Sequence, residues 1–399
     1  MSRFLFVVPP LVGHINPATG VAAELAARGH ELAWACADPA LVRRLAGESA
    51  RVFPCAGPVP GTGESVRPPD LRGPEALKFL WEAFLAPLAE QMAPGVTAAV
   101  EEFRPDAVVA DQQALAGGLV AERLGLPWAT SATTSAEFTD VFAGIPKVGL
   151  WLDELLHRLR ADLGDPSGTA DPRFSPHLVL AFSTPELVGP EARQGEQIRW
   201  VGPSIAPRPA APDFSWDWLD PARSLVLVSL GTANSDVGAR FLTECVTALR
   251  ARTDRVQAVI ADPGGALGAP DDQDKDLLVL PSIPQLPLLE RADAVVSHAG
   301  HNTVCEALWH GVPLVVAPIR DDQPVIAGQV TGAGAGIRVR FGRVTAPKLG
   351  AAIDAVLHEP DHRAAADRIR TAFRAAGGSR AAATHLEQLA TGASPKETP

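Results

Sequence analysis

The chain has 399 residues, 46% of them hydrophobic and 20% charged, a composition typical of a globular protein with two or three domains. The formal net charge of −11 argues against a nucleic-acid-binding surface, which would need clustered Lys and Arg side chains. The four cysteines form no Cys-x-x-Cys pair, so neither a disulfide framework nor a metal site is predicted. The N-terminus lacks a signal-peptide pattern, and no apolar run reaches the ~18–20 residues that span a bilayer. We therefore expect a cytoplasmic protein without a membrane span.

Apolar strands alternate with helices along the N-terminal half. Residues 3–8 predict the first strand, and Asn16 with Pro17 predicts a helix start, because Asn is a favoured N-cap and Pro is tolerated at the first helical position. Further strands are predicted over residues 30–37, 51–56, 107–111, 128–132 and 178–183. Helices are predicted over residues 74–102, with interruptions at Pro87 and Pro94, and over residues 115–125 and 150–163. This alternation indicates a doubly wound α/β domain.

His14 and Asp111 each follow or end a predicted strand of this half. Ligands bind at the carboxyl edge of an open α/β sheet, and the dipole of the following helix disfavours the charged form of His14. If the two strands are neighbours, Asp111 can hold the Nδ1–H of His14 and stabilise its charge during proton transfer. The alternatives are that His14 is a helix-entry residue without chemistry and that Asp111 only caps its strand.

Aromatic side chains are concentrated in two stretches of the N-terminal half. Phe79 and Phe84 lie on the long helical stretch, and Phe138 and Phe142 lie in the irregular stretch 135–149. They are candidates to line an apolar acceptor pocket. Core packing is the alternative, because aromatics at helical spacing are more often core residues.

A Pro-rich stretch at residues 203–212 predicts a semi-rigid linker between two domains. The predicted division is an N-terminal domain (1–205), a linker (206–221), a C-terminal domain (222–378) and a final helix with a disordered tail (379–399). The second domain begins with a strand over 224–232, followed by a helix at about 236–250 and strands at 256–261 and 277–282.

The stretch from residue 282 to residue 323 contains the densest polar pattern of the chain. A buried strand over 294–297 ends in His298, and a small-residue loop follows before a helix that Asn302 is expected to cap and Gly311 to end. A Gly loop that opens onto a helix N-terminus binds anions. Glu306, one turn into this helix, is placed to accept hydrogen bonds from a diol. A phosphate site next to side chains that accept hydrogen bonds from a diol and from a polyol indicates a nucleotide-sugar site.

This stretch resembles the donor-binding signature of the UDP-glycosyltransferase family of GT-B fold, and the bacterial enzymes that act on macrolides and similar natural products are the most similar group. The matching residues are Pro284, Gln285, residues 298–303, Glu306, residues 311–313, Pro318, Asp322 and Gln323. The resemblance implies two Rossmann-like domains facing across a cleft. The last helix would pack back on the N-terminal domain.

The same resemblance implies residue roles. His298 would contact the α-phosphate, and the rest of the diphosphate site would comprise Gly300, Asn302 and Thr303. Glu306 would hold the ribose hydroxyls, and Gln285 and the backbone of Ile283 would meet the base and its ribose. Asp322 and Gln323 would bind the transferred sugar. Gly231 and Thr232 would lie beside the diphosphate or the sugar, unless they form only a turn. Members of the family also use a catalytic base in which an Asp holds a His, and these residues would be His14 and Asp111 here.

Two positions depart from the family pattern, and several alternatives stay open. Ser282 stands where many members carry a Trp that stacks on the base, and Ala299 replaces a common Gly. The predicted reaction is inverting, metal-independent O-glycosyl transfer without a cofactor, by a monomer or homodimer. UDP-glucose is the first choice of donor, a dTDP-deoxysugar is the second, and the acceptor is an apolar small molecule. A nucleotide-sugar epimerase, a Rossmann oxidoreductase and a non-catalytic partner protein are the alternatives. The oxidoreductase would need a G-x-G-x-x-G motif, which does not follow the first strand.

Overall fold

The computed structural model describes residues 1–60, 71, 73–139, 144–206, 213–231, 238–268 and 274–392. The chain divides into two compact units, of which the first comprises Met1–Ser183, Arg193–Pro209 and Ala376–Pro399. The second comprises Thr184–Ala192 and Ala210–Ala375. The predicted first domain, 1–205, thus contains a segment, Thr184–Ala192, that the structure assigns to the second unit.

The first unit is built on a parallel sheet. Its strands, in the described part of the chain, are β1 (Arg3–Val7), β2 (Glu31–Cys36), β3 (Val52–Pro54), β4 (Ala107–Asp111), β5 (Trp128–Ala132), β6 (Leu178–Ala181) and β7 (Ile198–Trp200). Their order in the sheet is β3-β2-β1-β4-β5-β6-β7. The strand order reverses between β1 and β4, and this topological switch point is the usual ligand site of such sheets.

The second unit repeats this plan. Its strands, again among the described residues, are β8 (Ser224–Ser229), β9 (Val256–Ala261), β10 (Leu277–Leu280), β11 (Ala294–Ser297), β12 (Leu314–Val316) and β13 (Gly336–Arg338). The sheet order is β10-β9-β8-β11-β12-β13, and every pairing is parallel. The switch point therefore lies between β8 and β11. The prediction of two doubly wound α/β domains is confirmed.

Helices connect the strands of both units. They are α1 (Val12–Ala27), α2 (Pro39–Ala46), α3 (Gly73–Phe79), α4 (Ala86–Phe103), α5 (Leu115–Arg123), α6 (Pro146–Leu163), α7 (Pro185–Val188), α8 (Ala239–Arg250), α9 (Gln285–Leu289), α10 (His301–Trp309), α11 (Gln323–Gly332), α12 (Ala346–His358), α13 (Pro360–Ala376) and α14 (Gly378–Ala390). A π-helical turn, Leu80–Leu85, joins α3 to α4. Within the described ranges, no helix combines the length and apolarity that a membrane crossing requires.

The strands of the first sheet are buried on both faces, because helices cover each side. One face of β1 packs with the α4, α5 and α6 side, through Leu5 and Val7. The other face packs with the α1 and α14 side, where Phe4, Phe6 and Leu386 belong to one hydrophobic cluster. Near-continuous apolar runs are what such doubly covered parallel strands require. The strands predicted over residues 107–111 and 128–132 have the predicted bounds, the other four predicted strands are one to three residues shorter, and β7 is missing from the prediction.

The C-terminal helix α14 packs against α1 in the first unit. Arg28, which follows α1, donates to Glu387 of α14 over 2.7 Å, and Nε2 of His30 lies 2.8 Å from the same carboxylate. These charge-assisted contacts hold the pKa of Glu387 below its usual range, although burial acts in the opposite direction. The last helix of the chain is therefore an integral part of the first unit.

The predicted start of α1 is wrong. The helix begins at Val12 with Leu11 as its N-cap, and Pro17 lies inside it rather than at its first position. The amides of His14 and Ile15 both donate to the carbonyl of Leu11 over 3.0 Å and so begin the helix earlier. Pro17 is the sixth residue of the helix and has no N–H to donate there.

The predicted start of α10 is wrong by two residues, whereas its end is confirmed. Gly300 is the N-cap, with φ −63° and ψ 135°, so Asn302 lies within the first turn. Gly311 follows the C-cap residue and has φ 70°, a conformation that favours glycine. The interruption predicted at Pro94 is also wrong, because Pro94 lies inside α4, which begins at Ala86.

Candidate functional site

His14 lies in the first turn of α1, the helix that follows β1 in the chain. Its strand pairs in parallel with β4, so that Val7 stands opposite Ala110 and the carboxyl ends of β1 and β4 are adjacent. Asp111 is the last residue of β4. The sheet order therefore brings together two side chains that are 97 positions apart in the sequence. Both lie at the switch point of the first unit.

The imidazole of His14 is held by a buried carboxylate. His14 Nδ1 lies 2.9 Å from Asp111 Oδ1, and the Asp111 side chain is fully buried while that of His14 is 16% exposed. Asp111 Oδ1 also accepts from the backbone N–H of Gln113 over 2.8 Å. An ionised carboxylate only accepts hydrogen bonds, so Nδ1 carries the proton and Nε2 is left as the basic nitrogen.

Thr133, which sequence reasoning missed, completes this pair. Its hydroxyl donates to Asp111 Oδ2 over 2.9 Å and lies 2.8 Å from His14 Nδ1. Thr133 is the first residue after β5, the strand next to β4. Its position at a third neighbouring strand end was the available signal. Gln113 N–H and the Thr133 hydroxyl thus hold the Asp111 carboxylate that contacts His14. This arrangement suits proton acceptance by His14 Nε2.

His298 lies at the switch point of the second unit, after the strand whose place in the sheet is that of β4 in the first unit. It follows β11, which pairs with β8 so that Ser297 stands opposite Ser229. A Cβ atom on Gly231 would lie 2.8 Å from the His298 ring, and one on Gly300 would overlap with Nε2 of the same ring. The two glycines therefore leave the space that the imidazole occupies. Gly231 is thus a direct neighbour of His298, and Thr232 lies outside the described residues.

His298 is uncharged near neutral pH. Its pKa is lowered to about 4, chiefly by burial and further by the positive charge of Arg320, whereas a hydrogen bond to the backbone of Ser229 acts in the opposite direction. The neutral ring offers one N–H donor, and a bound anion would favour its protonation. The neutral His298 ring can therefore donate a hydrogen bond to a bound anion.

The loop between His298 and α10 positions a helix N-terminus beside the ring. Ala299 has φ 67°, a left-handed conformation that favours glycine, and Gly300 then caps the helix. The first bond of α10 runs from Val304 N to Gly300 O, so the N–H groups of the first turn have no acceptor within the helix. Asn302 and Thr303 belong to this turn. Its dipole and N–H groups suit an anion.

Glu306 and Gln285 contact each other directly. Gln285 Nε2 donates to Glu306 Oε2 over 2.6 Å, and Glu306 is buried on α10. Gln285 begins α9, and its backbone N–H donates to the carbonyl of Ile283 over 2.9 Å. The structure therefore joins three of the predicted donor-binding residues beside the N-terminal turns of α10.

Asp322 and Gln323 lie at the start of α11, after β12. Asp322 is the N-cap residue, and Gln323 Oε1 accepts from the backbone N–H groups of Ile319 and Arg320 over 2.9 and 3.1 Å. The Gln323 amide group thereby fixes the loop and keeps its NH₂ end for donation. Asp321 has φ 56°, so this loop, like the one at Ala299, contains a non-glycine residue in the left-handed region.

The predicted acceptor-lining aromatics differ in burial. Phe84 lies in the hydrophobic core beside α4, Phe138 is buried against Phe174 and Trp200, and Phe79 is half-buried. Phe142 lies outside the described residues. For Phe84 and Phe138 the observed packing agrees with the core alternative, and pocket lining stays a prediction. Across the described ranges, no group of three or more His, Cys, Asp or Glu side chains is arranged to hold a metal ion.

Comparison with known proteins identifies the family. A model of the UDP-glucoronosyl and UDP-glucosyl transferase family matches residues 199–372, which include every candidate donor-binding residue. 4'-Demethylrebeccamycin synthase of Lentzea aerocolonigenes is 30% identical over 412 residues, which cover 94% of this chain and 96% of that protein. The chain belongs to this glycosyltransferase family. Family membership favours glycosyl transfer over the epimerase and oxidoreductase alternatives.

Other glycosyltransferases are similar over nearly the whole of this chain. Demethyllactenocin mycarosyltransferase of Streptomyces fradiae is 30% identical and covers 98% of this chain, which spans 87% of that protein. The crystal structure of the kitacinnamycin glycotransferase matches with a TM-score of 0.78 and 26% identity, covering 97% of this chain and 98% of its own. That of the calicheamicin glycosyltransferase CalG4 shares the fold, with a TM-score of 0.73 and 22% identity over 99% of this chain and 100% of its own. The predicted GT-B fold class is confirmed.

Proposed function

We propose that this glycosyltransferase is an inverting O-glycosyltransferase that moves a hexose from a nucleotide diphosphate to a hydroxyl group of an apolar natural product. The observation that carries the proposal is the contact between His14 Nδ1 and the buried Asp111 carboxylate at 2.9 Å, at the switch point of the first unit. A histidine held in this way has a defined basic nitrogen. Proton removal from a hydroxyl is the chemistry that such a nitrogen performs.

Each bond change in the proposed reaction has an assigned group. His14 Nε2 takes the hydroxyl proton while the acceptor oxygen forms a bond to C1 of the sugar. The bond from C1 to the phosphate oxygen breaks on the opposite face, and the nucleotide diphosphate leaves with the electron pair. Asp111 stabilises the imidazolium that forms. Attack from the face opposite the leaving group inverts the configuration at C1.

The second unit supplies the donor site in this proposal. The first turn of α10 and the N–H of His298 face the diphosphate, Glu306 and Gln285 bind the ribose and base, and Asp322 with Gln323 binds the sugar. The helix dipole and hydrogen bonds offset the charge of the leaving diphosphate. We therefore expect transfer to continue in the presence of EDTA, and loss of transfer that added Mg²⁺ restores would contradict metal independence.

UDP-glucose is the proposed donor, and a dTDP-deoxysugar is the second candidate. Asp322 and Gln323 suit a hexose with free hydroxyls, and a relative with 27% identity is the zeaxanthin glucosyltransferase of Pantoea ananas. The mycarosyltransferase relative favours the second candidate. Ser282, which lacks an aromatic ring, leaves base preference to Gln285 and the Ile283 backbone. Zeaxanthin as the relative's named substrate also supports an apolar acceptor.

The test combines donor binding with product analysis. Thermal-shift measurements with UDP, dTDP and their sugars identify the nucleotide, and NMR of the product from an α-linked donor gives the configuration at C1. We expect a β-linked product and no conversion of the donor without acceptor. A retained α-linkage would contradict the inverting mechanism. Epimerised donor without acceptor would contradict the transferase, and failure to bind any nucleotide sugar would favour a non-catalytic partner protein.

A further inference from the structure

Buried polar atoms without a hydrogen-bond partner are concentrated at one edge of the first sheet. Among the described residues, those of the first unit are both amide atoms of Gln112 and the hydroxyl oxygens of Ser131 and Ser183, and one more such atom, the hydroxyl oxygen of Thr184, belongs to the second unit. Gln112 directly follows β4, Ser131 is near the end of β5, and Ser183 is two residues beyond β6. Buried polar groups are nearly always paired. Their concentration at the carboxyl ends of three adjacent strands therefore points to a partner from outside the chain.

Gln112 carries the largest of these unpaired polar groups and directly follows Asp111, the partner of the proposed catalytic base His14. Its side chain is 2% exposed, and neither its oxygen nor its nitrogen has a partner. The backbone around it is fixed, because the Gln112 amide donates to the Ser131 carbonyl over 3.2 Å. The two residues that flank it are bonded to each other, because Asp111 Oδ1 accepts from the Gln113 N–H over 2.8 Å. The backbone is thus held in place while the carboxamide is not.

We propose that Gln112 binds a second polar group of the acceptor, separate from the hydroxyl that receives the sugar. This inference rests on the proposed function and specifies its substrate class: an apolar body that carries a carbonyl, hydroxyl or amide group in addition to the reacting hydroxyl. A carboxamide can donate and accept at once, so it suits any of these groups. Rotation of the Gln112 side chain toward a bound molecule breaks no hydrogen bond within the protein.

Gln257 is a matched control, because it is a buried glutamine with every polar atom paired. It is 1% exposed, its oxygen accepts from Asp220 N over 2.9 Å, and its nitrogen donates to the carbonyls of Trp218 and Lys275 over 2.9 and 3.0 Å. Loss of such a paired group is destabilising. Replacement of an unpaired buried amide by an apolar group of similar shape is neutral or stabilising.

The first experiment compares the melting temperatures of Gln112→Leu and Gln257→Leu in the absence of ligand. We expect Gln112→Leu to melt at the wild-type temperature or roughly 2–4 °C above it, and Gln257→Leu to melt at least as far below it. A fall for Gln112→Leu like that for Gln257→Leu would show that the amide has a partner in the resting protein, such as a resident water, and would overturn the proposal.

The second experiment measures acceptor selectivity, with 7-hydroxyflavone and 2-naphthol as probes. Both carry one hydroxyl group, but only the flavone carries a ketone. We expect Gln112→Leu to lower the ratio of kcat/KM for 7-hydroxyflavone to kcat/KM for 2-naphthol about tenfold, mainly through KM, because one hydrogen bond is lost. Gln257→Leu, assayed well below its melting temperature, should keep the wild-type ratio.

The outcomes separate this inference from the proposed function. An unchanged ratio in Gln112→Leu, with active wild-type protein, would overturn the polar subsite alone. Absence of transfer by the wild-type protein to either probe and to any other hydroxyl acceptor would contradict the proposed function. In that case the melting temperatures still decide whether the Gln112 amide is unpaired in the resting protein.

Discussion

The two units place a histidine in two different surroundings on one sheet topology. In each, a first strand and a fourth strand lie side by side at the switch point, and a helix follows each of them. The first unit places a histidine there against a buried carboxylate, with Nδ1 2.9 Å from Asp111. The second unit places His298 beside Gly231 and Gly300, next to the N-terminus of α10.

The difference lies in the local charge around each histidine, because the strand order around the two is the same. Asp111 favours a positive charge on His14, which is useful for accepting a proton. Burial and Arg320 disfavour a positive charge on His298, which therefore remains a neutral hydrogen-bond donor. Function lies in the side chains at the switch points, and the shared fold only brings them to the same edge.

Removal of His14 should have the largest effect. General-base assistance contributes roughly 10²–10⁴-fold, so we expect His14→Ala to lower kcat by about that factor while donor affinity persists. Turnover is measured with a hydroxyl acceptor, and donor affinity by isothermal titration with UDP. His157→Ala, at an exposed position of α6, is the control. Near-normal turnover in His14→Ala would remove the base role from this residue.

The pH dependence of stability should distinguish His298. Its native pKa of about 4 is below the ~6.5 of the unfolded chain, so both states are neutral at that position above pH 6.5. As the pH falls from 6.5 toward 4, the unfolded chain binds a proton that the native ring does not, and the free energy of unfolding decreases. We expect His298→Gln to lose up to roughly 3 kcal/mol less than the wild type over this range, since one pKa unit corresponds to about 1.4 kcal/mol.

Urea unfolding at pH 7 and pH 4.5 measures this difference. His157→Gln is the control, because its side chain is exposed. An acid loss in His298→Gln as large as that of the wild type would show that the native ring protonates as easily as a ring in the unfolded chain. The contrast between the two histidines would then not hold.

A methyl group at Gly300 should disrupt donor binding without touching the first unit. Its Cβ would overlap with His298 Nε2, so the ring must move away from the helix N-terminus. Such overpacking costs about 1–3 kcal/mol. We expect Gly300→Ala to weaken UDP binding by about tenfold or more, whereas Gly328→Ala, whose Cβ meets no atom within 4 Å, should bind as the wild type does. Equal affinities for the two variants would contradict the proposed position of the diphosphate.

Loss of the Glu306 carboxylate should have the smallest of these effects. In the proposed ribose role, charge-assisted hydrogen bonds to the diol would contribute about 2 kcal/mol or less, and removal of the carboxylate also leaves Gln285 Nε2 without the 2.6 Å contact. We expect Glu306→Ala to weaken UDP binding roughly 5- to 30-fold while kcat at saturating donor changes little. Glu290→Ala, at an exposed site, is the control. UDP binding as tight as in the wild type would contradict the ribose role.

Much of the fold and the candidate donor site could be predicted from sequence because the signals are local. Apolar runs such as residues 294–297 mark buried strands, and Gly311 can adopt its φ of 70° at the end of α10 because glycine has no Cβ. The helix starts were not predictable in the same way. Pro17 is favourable at a first helical position, yet the carbonyl of Leu11 begins α1 five residues earlier.

The sequence by itself determined the two alternating α/β halves, the polar motif of the second half, and His14 and Asp111 as residues at strand ends. Only the tertiary structure decided that β1 lies beside β4, that Thr133 joins the His14–Asp111 pair, that Gly231 and Gly300 border the His298 ring, and that the amide of Gln112 is buried without a partner. The physical reason is that strand pairing and burial join residues many positions apart. Hydrogen-bond partners and local charge therefore follow from sheet order, which no short window of the sequence contains.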